Sequence, residues 1–399
     1  MRIGIPTNSE RYGSNLFYSV QKVYELDGGL ETDAEFSSLF HVIRQMPQST
    51  LNIIEKQMAI VVPIKDEKLR LLEGVLSGIP NDCIPIILSN SQRTPIDRYS
   101  MECSLVDNFC HSAKKKYLIM HQRSTELAEL FKAGGYTHLL DDEGLVRNGK
   151  AEGMIAGVLI ARLLEKQYIG YVDSDNYFPG SVLEYVKLFA SGFTQAKTEY
   201  SMVRVQWHSK PKIVGNEMFF AKLGRVTRIT NQYLNQLLSL QSGFETDILA
   251  TGNAGEHAMS MGLILRIGFS AGFSVETNHF VSLLENFGGS IPSRFPDVTK
   301  HGVEVFQIQS RNPHFHDFGK GDDHLSEMIE GSLSVIYHSS ICPPFLKQLI
   351  LEELRRLKII KSKQVPVLPR LYPPLIDMDF EAALQKMDWS KHGNYLPKS

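Results

Sequence analysis

The sequence predicts an α/β protein built on a mainly parallel, Rossmann-like central sheet. Continuous apolar runs at residues 58–62, 84–88 and 117–120 have the length and composition of strands that are buried on both faces. Segments with apolar residues at helical spacing follow the first and third runs. Strands that alternate with helices along a chain are typical of a parallel sheet covered by helices.

The sequence also places the individual elements. The first apolar run stops at Pro63, as a buried parallel strand would. The glycines at 78 and at 134–135 end two of the helical segments. After the first strand, the predicted order is a helix at 69–76, strands at 84–88 and 117–120, helices at 125–133 and 151–166, and a strand that leads into Asp173.

Three regions are predicted along the chain. Residues 1–55 contain short amphipathic pieces without strand–helix alternation, so we expect an N-terminal extension that packs on the core. Residues 56–290 form the core domain. Residues 291–399 form a mostly helical C-terminal region, with helices near 323–340 and 344–362. The second of these helices is basic and amphipathic, and we interpret it as packed on the domain with a solvated face.

Composition argues against several classes of protein. A net charge of −2 provides no overall attraction to nucleic acid or to an anionic membrane, so neither is expected as a partner. The four cysteines show no CxxC spacing, and the sequence has neither an apolar leader nor a run of 18 apolar residues. These features predict a cytoplasmic protein. A homodimer is the default expectation for its assembly.

A pair of carboxylates at Asp173 and Asp175 is the most informative feature. The pair follows an apolar run, which would place it at the carboxyl edge of the sheet, where ligands of open α/β sheets bind. There it could hold Mg²⁺ or Mn²⁺ against a diphosphate, although a simple turn after a strand is the alternative. Asp377 and Asp379 have the same spacing but follow a proline-rich segment without a glycine-rich basic loop upstream, so we expect no site there.

A glycine-rich basic loop at residues 144–153 precedes this strand. Its glycines would let backbone N–H groups approach an anion, while Arg147, Lys150 and the positive end of the following helix add charge. The loop therefore suits a diphosphate, although it lacks the GxxxxGK[ST] pattern of a P-loop. The alternative is a surface loop with two solvated cations.

Two further segments carry polar residues that could join the site. Residues 63–67 follow the first strand, where a nucleotide meets a Rossmann-like sheet, and no GxGxxG motif for a dinucleotide follows them. Asn312-Pro-His314-Phe-His316-Asp317 could complete a metal site that is supplied mainly by carboxylates. On its own such a segment is more often a surface turn, so its role depends on whether the fold brings it to Asp175.

Six motifs follow one another along the chain: Val-Val-Pro63-x-Lys65-x-Glu67, Ser89-Asn-Ser91, Arg147-Asn-Gly-Lys150-Ala-Glu-Gly, Asp173-Ser-Asp-Asn-Tyr-Phe-Pro-Gly180, Asn253-Ala-Gly-Glu256-His257-Ala and Asn312-Pro-His-Phe-His316. Together they resemble the mannosyl-3-phosphoglycerate synthase family, and the likeness runs from the opening segment at residues 5–11 to about residue 340. The stretch after about residue 350 carries little of it.

The resemblance implies a retaining glycosyltransferase of the GT-A type. Such an enzyme moves mannose from GDP-mannose to the 2-hydroxyl of 3-phospho-D-glycerate and releases GDP, and its product is the precursor of the compatible solute mannosylglycerate. The core domain would bind donor and acceptor, with a divalent metal, Mg²⁺ or Mn²⁺, as cofactor. The implied donor-binding residues are Pro63, Lys65, Glu67, Ser89, Arg147, Lys150, Asp173 and Ser174. The implied metal ligands are Asp173, Asp175 and one of His314 and His316, with His316 preferred.

The acceptor is expected at the small-residue loop 251–255 and the residues after it. The expected acceptor-binding residues are Asn253, Gly255, Glu256 and His257, and the expected catalytic residues are Asp173, Asp175 and Glu256. Retention needs either a carboxylate nucleophile or a front-side path within one ion pair. The front-side path is preferred, with Glu256 as a positioning group. The cations that could hold the acceptor phosphate are Arg204, Lys210, Lys212, Arg225 and Arg228, without a ranking.

Three alternative functions stay open from the sequence. The nearest is glucosyl transfer to 3-phosphoglycerate or another nucleotide-sugar-dependent transfer on the same fold, because few pocket contacts set sugar selectivity. A nucleotidyltransferase would carry its basic loop directly after the first strand, whereas here the loop comes at 144–153. An inactive binding module is disfavoured by the intact Lys150, Asp173 and Asp175.

Overall fold

The computed structural model describes residues 1–26, 43–176, 178–315 and 322–395. The strands are β1 (Arg2–Gly4), β2 (Ser9–Tyr12), β3 (Asn15–Tyr18), β4 (Gln21–Glu25), β5 (Ile43–Gln45), β6 (Met58–Ile64), β7 (Ile84–Ser89), β8 (Leu118–His121), β9 (Tyr168–Tyr171), β10 (Ser201–Gln206), β11 (Lys210–Val214), β12 (Glu217–Ala221), β13 (His257–Ser260), β14 (Phe269–Ser270), β15 (Val303–Gln309) and β16 (Leu371–Tyr372).

The helices alternate with the central strands as the sequence predicts. They are α1 (Gln48–Lys56), α2 (Leu69–Gly78), α3 (Arg98–Ser112), α4 (Thr125–Ala133), α5 (Lys150–Leu163), α6 (Pro179–Gln195), α7 (Arg225–Ser242), α8 (Met261–Ile264), α9 (Val275–Phe287), α10 (Pro296–His301), α11 (Asp322–His338), α12 (Pro344–Arg356) and α13 (Phe380–Leu384). No helix within the described ranges combines the length and the apolar character that crossing a bilayer requires.

The main sheet runs in the order β5-β1-β4-β15-β10-β13-β9-β6-β7-β8, with β3 also paired to β15 and β2 to β3. Strands β9, β6, β7 and β8 are mutually parallel, and β10 is parallel to β15. Strand β13 lies between β9 and β10 and is antiparallel to both. The predicted α/β fold with a mainly parallel sheet is therefore confirmed.

Alternate side chains of β6 pack on opposite faces of the sheet. Val61 belongs to the core on the side of α5, whereas Ile60 and Val62 belong to the core on the side of α2 and α6. Helix α5 approaches the sheet closely, because a Cβ added at Gly157 would lie 2.6 Å from the Val61 side chain. Both faces of the strand are covered, which explains its unbroken apolar sequence.

The regions outside the core also join this architecture. Strands β1, β3 and β4 from the first 25 residues hydrogen-bond into the main sheet. Helix α12 buries Leu346, Ile350 and Leu354, as an amphipathic helix packed on the domain does. The C-terminal segment lies along the edge strand β8, where Ile119 N donates to the His392 carbonyl at 2.7 Å. The division at residues 55 and 290 remains a prediction.

Candidate functional site

The carboxyl ends of the parallel strands and the start of β13 meet at one edge of the sheet. Tyr171 at the end of β9 pairs with His257 at the start of β13, and His257 pairs in turn with Arg204 near the end of β10. Because β13 runs antiparallel to its neighbours, the residue before it, Glu256, lies at the same edge as Asp173. This reversal brings residues far apart in sequence into one site.

The acidic loop after β9 is fixed by its own neighbours. Asn176 is buried and donates through Nδ2 to the Asp173 carbonyl at 2.8 Å and to Glu256 Oε1 at 2.9 Å. Asp175 is 7% exposed, and Ser174 is also buried. The carboxylates of Asp173 and Asp175 therefore lie on a turn that Asn176 closes by a hydrogen bond and connects to Glu256.

Lys150 links this loop to the start of α5. Its Nζ lies 2.7 Å from Asp173 Oδ1 and 2.8 Å from Glu276 Oε1. Burial lowers the pKa of the ammonium, but the two carboxylates outweigh it and raise the pKa above its ordinary value. Lys150 is thus a permanent cation at the positive end of a helix, between two carboxylates.

The basic loop before α5 is held in place by a side chain from the end of β8. Gln122 Nε2 donates to the carbonyls of Arg147 at 2.6 Å and Gly149 at 3.1 Å. Gly149 has a φ of +153°, and a Cβ there would lie 1.9 Å from the Glu152 carboxylate, so only glycine fits. The approach of this backbone to a diphosphate remains a prediction.

Glu256 is a buried carboxylate with two side-chain donors. It is 0% exposed and accepts from Asn176 Nδ2 and, at 2.9 Å, from Trp207 Nε1. Burial and the nearby carboxylate of Asp173 raise the pKa of Glu256 to about 7, against the lowering effect of the Asn176 bond. Small changes in the charges or hydrogen bonds around Glu256 can therefore change the protonation of its carboxyl group near neutral pH.

Trp207 connects Glu256 to the predicted histidine segment. Its ring stacks on the ring of His314, with 3.9 Å between centroids and 9° between planes. His314 N also donates to the Ser209 carbonyl at 2.9 Å, and the ring nitrogen Nδ1 lies 3.5 Å from Tyr185 Oη. His314 is thus linked through Trp207 and Glu256 to Asn176 of the acidic loop, while its predicted approach to Asp175 remains a prediction.

A carboxylate from α6 anchors this segment. Glu184 accepts from the backbone N–H groups of Arg311 at 2.5 Å and Asn312 at 3.0 Å, and from Asn312 Nδ2 at 2.7 Å. Phe178 and Phe315 pack edge to face at 4.9 Å, which joins the segment to the end of the acidic loop. His316 lies outside the described residues.

A second group of hydrogen-bonded polar residues lies at the ends of β6 and β7. Ser89 is fully buried, and its hydroxyl donates to Glu102 Oε2 at 2.6 Å. Ser91 donates to the other oxygen of Glu102 at 2.6 Å and accepts from Asp66 N at 2.7 Å. Ser89 therefore stabilises the loop of Asp66 from the interior of the fold, through Glu102 and Ser91. Its predicted contact with the donor remains a prediction.

The predicted donor residues of the first loop lie nearer the surface. The strand extends one residue past Pro63, to Ile64, and the exposed Lys65 follows. Asp66 has a φ of +56°, a left-handed conformation that turns the chain sharply. The carbonyl of Glu67 accepts a hydrogen bond from Arg98 of α3. Pro63, Lys65 and Glu67 thus flank the end of β6, as expected for donor contacts that remain predictions.

The loop 251–255 packs directly on the acidic pair. A Cβ added at Gly255 would lie 2.5 Å from Asp173 Oδ2. Asn253 is buried, with Nδ2 2.9 Å from Ser332 Oγ. His257 is fully buried, and its Nδ1 lies 2.9 Å from the Gly255 carbonyl. In this structure Asn253 and His257 support the loop from inside, and their predicted acceptor contacts remain predictions.

A cleft adjoins Trp207. It is bordered by the hairpin β11–β12, the N-terminus of α7 and the loop after Leu249. Its lining is Val205, Gln206, Trp207, Ser209, Lys210, Lys222, Leu223, Gly224, Thr227, Ala250, Thr251 and Ala254. Two lysines and the positive end of an 18-residue helix make this cleft suitable for an anion.

The residues present fit a divalent ion held together with a diphosphate. Among the described residues no three His, Cys, Asp or Glu side chains form a group that could hold a metal by themselves. Mg²⁺ in particular uses one or two carboxylates plus substrate phosphates instead of a full protein cage. Asp175 and Asp173 beside the basic loop would supply that donor set.

The second acidic pair, Asp377 and Asp379, has other partners. Asp377 forms a surface ion pair with Arg294 at 2.6 Å, and both side chains are exposed. Asp379 caps the short helix α13, where its Oδ1 accepts from Ala382 N at 2.9 Å. These partners belong to the surface and to a helix end, and the lack of a metal site there remains a prediction.

Several site residues were missed in the sequence. Glu184, Trp207, Lys222 and Glu276 contact or line the site but belong to no quoted motif, and Asn176 stands inside the quoted acidic motif without a role assigned to it. Trp207 offered a signal, because it is one of only two tryptophans and follows an apolar β-prone run. The sequence contains no such signal for Glu276, because its partner Lys150 is far away along the chain.

Comparisons with known proteins identify relatives over nearly the whole chain. The model of a family described as mannosyl-3-phosphoglycerate synthase matches residues 5–387. A mannosyl-3-phosphoglycerate synthase from Pyrococcus furiosus is 43% identical over 382 residues, which cover 96% of this chain and 95% of that protein. One from Aeropyrum pernix is 36% identical over 374 residues, 94% of each chain.

Solved structures show a looser likeness. The crystal structure of glucosyl-3-phosphoglycerate synthase from Mycobacterium tuberculosis with phosphoglyceric acid has a TM-score of 0.48 and 17% identity. The alignment covers 83% of this chain and 96% of that one. A likeness at this TM-score is too loose to place a ligand or a metal ion in the present chain.

Proposed function

The chain belongs to the mannosyl-3-phosphoglycerate synthase family, and we propose that its site transfers mannose from GDP-mannose to the 2-hydroxyl of 3-phospho-D-glycerate. The enzyme is a nucleotide-sugar glycosyltransferase. The observation that carries the assignment of residues is the contact between Lys150 and Asp173 next to the buried Glu256. The ammonium of Lys150, the carboxylate of Asp173, which would bind a metal ion, and the titratable carboxyl of Glu256 lie together there at one edge of the sheet.

The donor lies along the ends of β6 to β9 in this proposal. The guanosine part contacts Pro63, Lys65 and Glu67, and the diphosphate lies at the start of α5 near Arg147 and Lys150. The positive end of α5, which begins at Lys150, attracts negative charge there. These positions agree with those implied by the sequence motifs.

A divalent metal, Mg²⁺ or Mn²⁺, would be held by Asp175 and Asp173 with one histidine of the segment 314–316. When bound it would offset the negative charge that develops on the departing diphosphate. His314 lies flat against Trp207, which favours His316 as the ligand of the two. Because Lys150 stays charged, it also stabilises the leaving diphosphate without a proton transfer.

The acceptor occupies the cleft beside Trp207 in this proposal. Its phosphate lies near Lys210, Lys222 and the N-terminus of α7, while its 2-hydroxyl points towards Glu256. In the reaction the bond from the anomeric carbon to the diphosphate oxygen breaks and the bond to the acceptor oxygen forms. On a front-side path the acceptor proton passes to the departing phosphate oxygen, and Glu256 orients the hydroxyl.

The glucosyl alternative receives less support, since the relatives from Pyrococcus furiosus and Aeropyrum pernix described above are mannosyl-3-phosphoglycerate synthases. An inactive module is also disfavoured, because Lys150, Asp173 and Glu256 form a connected network. The cytoplasmic location and the homodimer remain predictions.

The experiment that tests the proposal measures GDP release from GDP-mannose with Mg²⁺, with and without 3-phospho-D-glycerate. Parallel reactions contain GDP-glucose or UDP-glucose, and NMR of the product reports the anomeric configuration. Acceptor-dependent release from GDP-mannose with a retained α-linkage is expected. Release only from a glucose donor would contradict the donor assignment, and no acceptor-dependent release would contradict the activity.

A further inference from the structure

A fully buried arginine lies beneath the loop that leads to Glu256. Arg204 in β10 is 0% exposed, and its Nη2 donates to the carbonyl of Thr251 at 2.7 Å and approaches that of Gly252 at 3.5 Å. Its guanidinium lies 4.6 Å from the centre of the Phe280 ring. Arg204 is therefore an interior group and not a surface cation that could meet the acceptor phosphate.

The same loop is held by other buried groups. Asn231 Oδ1 accepts from Gly252 N at 2.8 Å, and Thr277 Oγ1 donates to the Gly252 carbonyl at 3.2 Å. At the other end of the loop, His257 Nδ1 lies 2.9 Å from the Gly255 carbonyl. The backbone of residues 251–255 is thus fixed at both ends by side chains from beneath.

The exact position of this loop matters for the site. Gly255 is in such close contact with Asp173 that a Cβ would clash with Oδ2 at 2.5 Å and approach Lys150 Nζ at 3.5 Å. Glu256 follows directly and is bonded to Asn176 and Trp207. A small shift of the loop would therefore move Glu256 relative to the acidic pair.

Fold stability alone does not explain a charged side chain at this depth. Burial lowers the pKa of Arg204 to about 9, while the charge of Glu276 acts in the opposite direction, so the side chain remains a cation at neutral pH. A complete buried ion pair can often be replaced by apolar side chains of similar size without loss of stability, so stability by itself does not require charged groups at this depth. The contacts of Arg204 with the loop carbonyls supply a functional reason.

We propose that Arg204 is a positioning residue for the transfer reaction, which fixes the backbone of residues 251–255 so that Glu256 keeps its place beside Asp173. Arg204 touches neither donor nor acceptor. The inference rests on the proposed function, because it assigns Arg204 to the acceptor side of that reaction.

The test compares Arg204→Met and Arg204→Lys with wild type. Arg266→Met is the matched control, because Arg266 also lies over an aromatic ring, that of Tyr200 at 5.3 Å, but outside the site. We expect Arg204→Met to fold and to bind GDP-mannose as wild type does, while kcat for transfer falls on the order of 10- to 100-fold. Arg204→Lys restores part of the loss, and Arg266→Met shows none.

A second variant keeps the test decisive if Arg204→Met does not fold. Thr277→Val preserves shape and removes only the hydroxyl that holds the Gly252 carbonyl. A fall in kcat without a change in GDP-mannose binding would support the proposal, and wild-type kcat in Thr277→Val would overturn it. Wild-type kcat in a folded Arg204→Met, or an equal loss in Arg266→Met, would also overturn it.

A separate readout distinguishes this inference from the proposed function. Amide hydrogen exchange of residues 251–256 reports the position of the loop without any catalysis. Faster exchange in Arg204→Met than in wild type is expected, and equal exchange would contradict the inference. If wild type transferred no sugar at all, the proposed function would fail while the exchange experiment still decided whether Arg204 fixes the loop.

Discussion

Lys150, the first residue of α5, binds Asp173 with 2.7 Å between Nζ and Oδ1, although Asp173 follows the next strand of the sheet. The same ammonium binds Glu276 at the start of α9. One cation therefore joins the basic loop, the acidic loop and a helix from the opposite side of the site. We infer that this triad sets the spacing of the diphosphate site.

Replacement of Lys150 by methionine should destabilise the fold and weaken donor binding. Glu276 is 5% exposed, so loss of its cation leaves an uncompensated buried carboxylate, which costs about 3–5 kcal/mol. Urea denaturation measures the change, and Lys150→Met combined with Glu276→Gln should recover part of it. Lys132→Met, which breaks an exposed ion pair with Glu129, is the control. Equal losses in Lys150→Met and the control would contradict the prediction.

Glu256 should make stability fall as the pH rises from about 4.5 to 7. The native carboxyl has a raised pKa, so between these values the folded protein binds the proton more tightly than the unfolded chain does. The stabilisation present at low pH is lost by pH 8, an effect on the order of 3 kcal/mol. Urea denaturation of wild type and Glu256→Gln from pH 4.5 to 8 measures it, and a constant difference between them would refute the raised pKa.

Removal of the Trp207 N–H should raise the pKa of Glu256 further. Trp207→Phe keeps an aromatic ring against His314 but loses the donor to Glu256 Oε2, which stabilises the charged form. We expect the pH below which kcat/KM falls on the acidic side of the profile to rise by about one pH unit. The other tryptophan provides the control, Trp389→Phe, whose profile should match wild type. An unshifted profile in Trp207→Phe would show that this bond does not control the titration.

Replacement of Asp175 by asparagine should abolish metal-dependent transfer. Loss of a direct ligand should weaken Mn²⁺ binding in the presence of GDP by more than the roughly 10- to 100-fold that an outer-shell partner contributes. Calorimetry measures the affinity. Asp377→Asn is matched in spacing and chemistry but pairs with Arg294 at the surface, so it should bind the ion as wild type does. Parallel losses in both variants would argue against a specific site.

Replacement of Lys222 by glutamine should weaken acceptor binding without a change in donor binding. Lys222 lines the cleft at the N-terminus of α7, where a charged hydrogen bond to a phosphate would be lost. The expected rise in KM for 3-phospho-D-glycerate is about tenfold. Lys212→Gln on the same hairpin lies outside the lining and serves as control. A rise in KM for GDP-mannose instead would place the acceptor elsewhere.

Much of the fold was predictable from local patterns. The apolar runs of β6, β7 and β8 and the helical spacing of α2, α4 and α5 depend on neighbours in sequence, and the structure contains all of them. The short strands β1 to β5 were not predicted, because each has only three to five residues and no helix separates most of them. Their pairing in the sheet, not their sequence, defines them.

The sequence by itself determined the identity of the family, the α/β class and the place of Lys150 and Asp173 at the ends of successive elements, because these follow from contiguous residues. Only the tertiary structure decided how Glu256, Trp207 and Glu276 enter the site. Glu256 reaches Asp173 because β13 is inserted antiparallel between β9 and β10. Strand order and direction arise from packing and hydrogen bonding between distant segments, and no local pattern encodes them.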